Sequence, residues 1–510
     1  PADDQTPAPT GDETPDAEDP EENESVPGQE MGARPIEEEQ DGGEDRGTLC
    51  WAYPDGLNNE IHVEELTEEE TAALTMTPWE ELNSPSLARS SAGVDPYFEI
   101  ITVERYGRSK LEKMSKKAIY LDIYDTLLLM ASSNFQGVLE TPNGTTIYSS
   151  DAALAINAFY ADYPELFWAR PTYYYYKANP NLCAGIAFEY NSHYKNLNKE
   201  LPLFLETANN ILAGMPTGSD YEKELYLHDV LVNKVTYTSS KLEEQNGYTT
   251  LVDGKGVCAG YAFALQYLLM RAGIQSYYVV GFAGENHAWN LAKIDGKWYY
   301  VDATWDDPLN NGSDDPYSPY YSYFNITTKK LKEDHTPFDT PYNVTLEKCT
   351  ATAANYYTVN SHLVVSTKDA SLPGKVANLL QRNNGVIRLF VTDDDPGSTA
   401  WQWYKDNISN IATAMEAYGQ YQYGYWYFNH EVVLWFEGDY LALGPGELNG
   451  YSGITILDVD LLYQYLRTQQ VPITQTRLME YEFLENADVN GDGTINVYDL
   501  QLLYETVCNN

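Results

Sequence analysis

Basic residues are scarce in this chain of 510 residues: 31 Lys and Arg stand against 76 Asp and Glu, a net charge of -45. Such an excess of acid excludes nucleic acid and anionic membrane surfaces as partners, because both are polyanions. No apolar run reaches the length needed to span a bilayer, so no membrane span is expected. Cysteine is also sparse, at five residues (Cys50, Cys183, Cys258, Cys349 and Cys508). An odd, small number of cysteines does not build a disulfide framework, and it points instead to a reactive thiol. His193, Cys183 and Cys349 have no partners at ligand-like spacing, so no zinc site is expected. Large apolar residues are nearly missing from residues 1–46, which hold seventeen Asp and Glu, two Arg and no Lys. That segment cannot bury enough surface to offset its chain entropy, and residues 1–48 are expected to be a disordered tail or linker. The chain opens on proline and not methionine, consistent with a signal peptide already removed.

What is present supports real cores. The hydrophobic fraction is 43%, and the length allows three or four domains. Apolar residues at spacings of three and four predict helices over 109–132 (Leu111, Met114, Ala118, Leu121, Tyr124, Leu128), 151–163 and 203–213. Residues 219–234 open with Ser219 and Glu222, the pattern of a capping box. A strand is expected over 181–190. From about 350 to 443 the texture becomes mixed. Strands are expected at 363–365, 385–391 and 431–436, with helices at 375–381 and 401–418. The aromatic run 421–428 reads as a strand packed into a core more than as a carbohydrate-binding platform.

One cysteine stands in a setting that favours chemistry. Cys258 follows Gly254 and Gly256 and precedes an apolar helix over 259–272. A helix N-terminus stabilises the thiolate through its dipole and its unpaired N–H groups, and the Cys258 N–H is available to an oxyanion. Two strands follow, 286–294 and 297–303, joined by Asp295-Gly296, a strong signal for a two-residue hairpin. That turn pairs Ile294 with Lys297 and sets Trp289 opposite Asp302. Alternation then puts His287, Trp289 and Asp302 on one face, with Asp302 diagonal to His287. Cys258 would be the nucleophile, His287 its base, and Asp302 the carboxylate that holds the imidazole tautomer. Tyr248 is a candidate oxyanion donor. His228, inside a capped helix, reads as structural, and Trp289, Trp298 and Trp305 as core or cleft walls.

The segments VCAGYA, HAWN and WYYVDATWDDP resemble the transglutaminase-like superfamily, with looser similarity in EKELYLHDVLVNKVTY. The resemblance covers about 150–308. It implies a papain-like fold and puts Cys258, His287 and Asp302 at the catalytic positions. Bacterial members include transglutaminases, cysteine peptidases and proteins with no known activity. Many relatives have an acidic residue where this chain has Ala259.

Near the C-terminus, DVNGDGTINVYD (488–499) has the spacing of a calcium loop. Asp488, Asn490 and Asp492 occupy positions 1, 3 and 5, Thr494 position 7 through its carbonyl, Asn496 position 9 and Asp499 position 12. Gly491 and Gly493 permit the turn. The same pattern recurs 41 residues upstream, where Asp458 aligns with Asp499 without a gap. That loop offers Glu447, Asn449, Thr455 and Asp458, but Tyr451 at position 5 cannot give a carboxylate, which argues against an ion there. Two loop–helix units with Asp at position 12 resemble a dockerin over 446–510. Dockerins bind cohesin modules of scaffoldins, so the resemblance implies Ca2+, a cohesin partner and a secreted component of a cellulosome-like complex. It also implies that loop positions 10 and 11, here Ile456, Leu457, Val497 and Tyr498, face the cohesin.

The expected architecture is therefore multidomain α+β. A papain/transglutaminase-like core spans 95–345, with a helical half at 95–235 and a catalytic core at 236–310. A small α/β domain of unassigned role spans 350–443, and an all-α calcium-binding dockerin spans 446–510. The expected activity is acyl transfer from a protein or peptide substrate through a thioester. Two alternatives are a catalytically silent adaptor and a component for polysaccharide degradation. No pair of carboxylates on a recognisable glycosidase scaffold supports the second.

Overall fold

The computed structural model describes residues 76–78 and 101–509, apart from 133–134, 136, 143–144, 177–178, 239–245, 311–312, 315–317, 440–444, 449–453, 473–479 and 492. The acidic tail, Cys50, Asn449, Tyr451 and Asp492 lie outside the described residues. The chain divides into two compact units, one ending at Ser361 and the other running from His362.

The first unit begins with helices α1 (Tyr106–Leu111), α2 (Lys117–Ser132) and α3 (Ser149–Asp162). The single helix expected over 109–132 is broken between α1 and α2. Lys110, Lys113, Lys116 and Lys117 would stack like charges at helical spacing. The chain turns instead, and Lys110 reaches Glu347 at 2.5 Å while Lys116 reaches Asp151 at 2.7 Å. A four-stranded sheet packs on α3, in the order β1 (Met76–Pro78), β2 (Val138–Glu140), β4 (Asn179–Tyr190), β3 (Ala169–Tyr176). The strand expected over 181–190 is β4. Its hairpin partner β3, tyrosine-rich and interrupted by bulges, shows no clean alternation, and for that reason escaped the pattern.

Helix α4 (Leu197–Ala213) starts six residues before the expected position and carries Pro202 inside it. Helix α5 (Asp220–Lys234) has the full capping box at Ser219 and Glu222. Strand β5 (Thr236–Tyr237) pairs with β6 (Lys255–Gly256), which feeds directly into helix α6 (Cys258–Arg271). Every residue of α6 from Cys258 to Met270 is buried. It is clamped by Phe263 stacked on Tyr278 at 4.1 Å and by Gln266 Nε2 donating to the Ala161 carbonyl at 2.7 Å.

Against α6 lies the second sheet, in the order β10 (Thr336–Pro337), β7 (Ser276–Phe282), β8 (Asn286–Ile294), β9 (Lys297–Val301). Asp295 and Gly296 both take positive φ, 48° and 77°, as the hairpin turn demands. The β8–β9 register runs from Ile294 with Lys297 to Asn290 with Val301, the predicted one. Gly281 on β7 admits the edge strand: a Cβ there would meet the Thr336 carbonyl oxygen and the Trp289 ring, each at 2.4 Å.

The second unit contains a sheet in the order β11 (Val364–Val365), β12 (Val386–Val391), β14 (Glu431–Asp439), β13 (Tyr418–Phe428). Helices α7 (Leu372–Arg382) and α8 (Pro396–Ala414) cover it. Tyr423 and Tyr425 of the aromatic run sit in this core, with Tyr425 stacked on Trp401 at 4.6 Å. A separate cluster of Leu448, Leu461, Leu462, Phe483 and Leu503 joins three further helices, α9 (Ile456–Thr468), α10 (Glu480–Ala487) and α11 (Val497–Asn509).

Candidate active site and candidate calcium loops

Cys258 is the first residue of α6, and the N-cap Val257 supplies no side-chain acceptor. No acidic residue occupies the first turn, so the positive end of the helix dipole acts on the sulfur unopposed. Cys258 is buried, 8% exposed. The Cys258 sulfur and the His287 imidazole interact electrostatically. His287 projects from β8 and is buried. Its Nε2 meets Asp302 Oδ2 at 2.6 Å. Burial opposes the imidazolium, but the Asp302 carboxylate and the Cys258 sulfur outweigh it and hold the His287 pKa well above its usual value.

Asp302 follows the end of β9 and is almost fully buried. Its Oδ1 accepts the backbone N–H groups of Thr304 (3.0 Å) and Trp305 (3.2 Å). Burial alone would raise this carboxyl. Two histidines outweigh that and hold it far below the usual carboxylate range. The second is His335, whose Nε2 lies 3.1 Å from the same Oδ2, while its Nδ1 meets Asp334 Oδ1 at 2.5 Å. No motif or spacing in the chain marks His335. It lies 33 residues beyond Asp302 and arrives through the pairing of β10 with β7, a non-local contact with no spacing signature. His287, Asp302 and His335 converge closely enough to resemble a metal-ligand set, yet each of those ligand atoms is already engaged by another member of the set.

Trp289 stacks near His287 (5.8 Å) in the core, and Trp305 flanks both His287 (5.9 Å) and His335 (4.4 Å). Trp298 packs on Tyr106. Tyr248 packs among Phe167, Tyr194 and Phe204. The tyrosine that feels the charge of Cys258 is Tyr237, on β5. His228 is enclosed by two carboxylates, with Nδ1 3.0 Å from Asp229 and Nε2 3.3 Å from Asp306.

In the second unit, the loop before α11 folds back on its own carboxylates. Asp499 is fully buried and accepts the N–H groups of Asn490 (3.2 Å) and Asn496 (2.8 Å). Asp488 Oδ2 accepts the N–H of Gly493 at 2.8 Å. Thr494 and Asn496 complete a set of hard oxygens suited to calcium. The loop before α9 is closed in the same way, its twelfth-position carboxylate taking two backbone N–H groups. Asp458 accepts from the N–H groups of Leu448 (2.7 Å) and Thr455 (2.8 Å) and from the Thr455 hydroxyl (2.7 Å). Thr455 and Asp458 thereby form a capping box on α9. Glu447 is buried beside this turn. Ile456, Leu457, Val497 and Tyr498 are 58% to 69% exposed, on the ends of α9 and α11. Ile456 and Val497 border a groove of about 440 Å3 whose walls include Tyr463 and Tyr504.

Residues 206–303 match the transglutaminase-like superfamily, and residues 445–507 match the dockerin type I domain. The chain carries a transglutaminase-like domain and a type I dockerin. It is 32% identical over 95 residues to the kyphoscoliosis peptidases of Mus musculus and Homo sapiens, covering 16% of this chain and 14% of each relative. Similar solved structures include a candidate cysteine protease from Cytophaga hutchinsonii, at 15% identity over 37% of this chain and 69% of that one, with a TM-score of 0.20. A TGase structure is 18% identical over 37% of this chain and 49% of its own, also at a TM-score of 0.20. A transglutaminase-like domain joined to a dockerin marks a dockerin-bearing protein of the cellulosome type. No helix among the described residues is long and apolar enough to cross a membrane.

Proposed function

We propose that this chain is an extracellular cysteine enzyme that acts on protein amide or peptide bonds and is carried on a scaffoldin by its dockerin. The observation that carries the reading is the line Cys258–His287–Asp302 at the head of a buried helix. The Cys258 thiolate attacks the carbonyl carbon, and the oxyanion forms beside the N–H groups at the start of α6. His287 as imidazolium gives its proton to the departing nitrogen, which leaves a thioester on Cys258. His287, now neutral, takes a proton from water or from an amine, and that nucleophile releases the acyl group. Asp302 keeps the imidazole in the required tautomer throughout.

The dockerin would hold calcium through Asp488, Asn490, Asp492, Thr494, Asn496 and Asp499. A bound ion would draw these oxygens together and fix the loop on α11. The first loop has Tyr451 where the second has Asp492, so it lacks one carboxylate for an ion. Ile456, Leu457, Val497 and Tyr498 would meet the cohesin.

The test incubates the protein and its Cys258→Ala variant with casein and a fluorescent primary amine. Label uptake lost in the variant identifies a transglutaminase. Fragments lost in the variant identify a cysteine peptidase. Equal behaviour of the two proteins overturns the catalytic reading.

A further inference from the structure

We propose that His335 is a positioning residue for the Cys258–His287 pair: its Nε2–H fixes Asp302, and its charge, matched to Asp334, sets the pH at which His287 gives up its proton. The inference rests on the catalytic reading above, and His335 lies outside the segment that matches the superfamily.

Two observations carry it. First, Asp302 has no freedom left. Oδ1 is taken by two backbone N–H groups and Oδ2 by two imidazoles, so the carboxylate is held in the plane that faces His287. Second, both nitrogens of His335 face carboxylate oxygens, Nδ1 at 2.5 Å and Nε2 at 3.1 Å. Both contacts are hydrogen bonds only when both nitrogens carry protons, so the ring is an imidazolium. Other groups around it are Trp289, Trp305 and Tyr323, and the Tyr323 hydroxyl donates to the other Asp334 oxygen at 2.5 Å.

The second positive charge lies 5.6 Å from the His287 ring. Its effect is to oppose the hold of Asp302 on the His287 proton. A buried imidazolium against an unshared carboxylate would keep its proton too strongly to act as an acid for the leaving nitrogen. General acid–base catalysis works best when the group titrates near the working pH. His335 brings His287 back toward that range while leaving Asp302 in place.

The experiment follows iodoacetamide alkylation of the full chain from pH 4 to 10, read by mass spectrometry on the Cys258 peptide so that other thiols do not contribute. It needs no substrate. The wild type is expected to show a low-pH plateau from the thiolate paired with imidazolium, then a further rise as His287 loses its proton. His335→Gln keeps an N–H donor for Asp302 and removes the charge, so the upper rise should move to higher pH by about one unit. Asp334→Asn, at a partly exposed position, leaves the His335 charge unmatched and should move the rise to lower pH, and it keeps the test alive if His335→Gln does not fold. A lowered melting temperature with an unmoved alkylation profile in both variants overturns the proposal and leaves the catalytic reading standing. A wild type that lacks the plateau and titrates as an ordinary thiol overturns both.

Discussion

His228 is buried between Asp229 and Asp306, and Asp306 in turn accepts the backbone N–H of Tyr323 at 2.9 Å. Burial opposes its charge, but the two carboxylates outweigh burial and push its pKa up to about 10, from 6.5. The folded state therefore holds this proton more tightly than the unfolded chain. The stabilisation is complete below about pH 6.5 and is lost as pH climbs through about 10. His228→Gln should lower stability by about 3 kcal/mol at pH 7, because it leaves the Asp306 carboxylate buried without a cation. Urea melts between pH 6 and 10.5 check this: the wild type should lose stability steadily from about pH 6.5 to about 10, and the variant should lose much less. His228, read as structural from its place in a capped helix, is joined to Asp306, four residues past Asp302. That distant partner was not legible in the sequence. Cys258, His287 and Asp302 were, because a helix start and a two-residue turn fix them locally.

At the scale of elements, the two loop–helix units share one closing pattern and differ at position 5, Tyr451 in the first and Asp492 in the second. Asp499→Ala should abolish stabilisation by calcium, since it removes the buried carboxylate at the twelfth loop position. Asp458→Ala should lower stability by about 1 kcal/mol with or without calcium, the loss of a helix cap. Thermal melts of each variant in calcium and in chelator separate the two, and a calcium effect surviving in Asp499→Ala would contradict the assignment. Elements with strong local signals were readable: the Ser219 capping box, the Asp295-Gly296 turn and the apolar helix after Cys258. The break between α1 and α2 was not, since it depends on Asp151 and Glu347 drawing lysines away from a helix that periodicity alone would continue. Strand β10 was not readable either. Two residues pair with β7 because Gly281 leaves room, and no periodicity marks so short an edge.

At the scale of the whole molecule, the proposed chemistry and the proposed anchoring reside in separate compact units, so each should be removable without loss of the other. Leu457→Asp combined with Tyr498→Asp changes only exposed positions. Stability should stay within about 0.5 kcal/mol, and Cys258 should alkylate as before, while capture by an immobilised cohesin should fall at least tenfold. Unchanged capture would remove these residues from the docking face. The acidic excess read from composition sets which partners the surface repels, but it carried no information about fold, and the fold had to come from motifs. A loop without a carboxylate at position 5 beside one that waits for an ion has a consequence for timing. Where calcium is scarce the second loop would stay open, so the module would stand half-formed until it meets a calcium-rich medium.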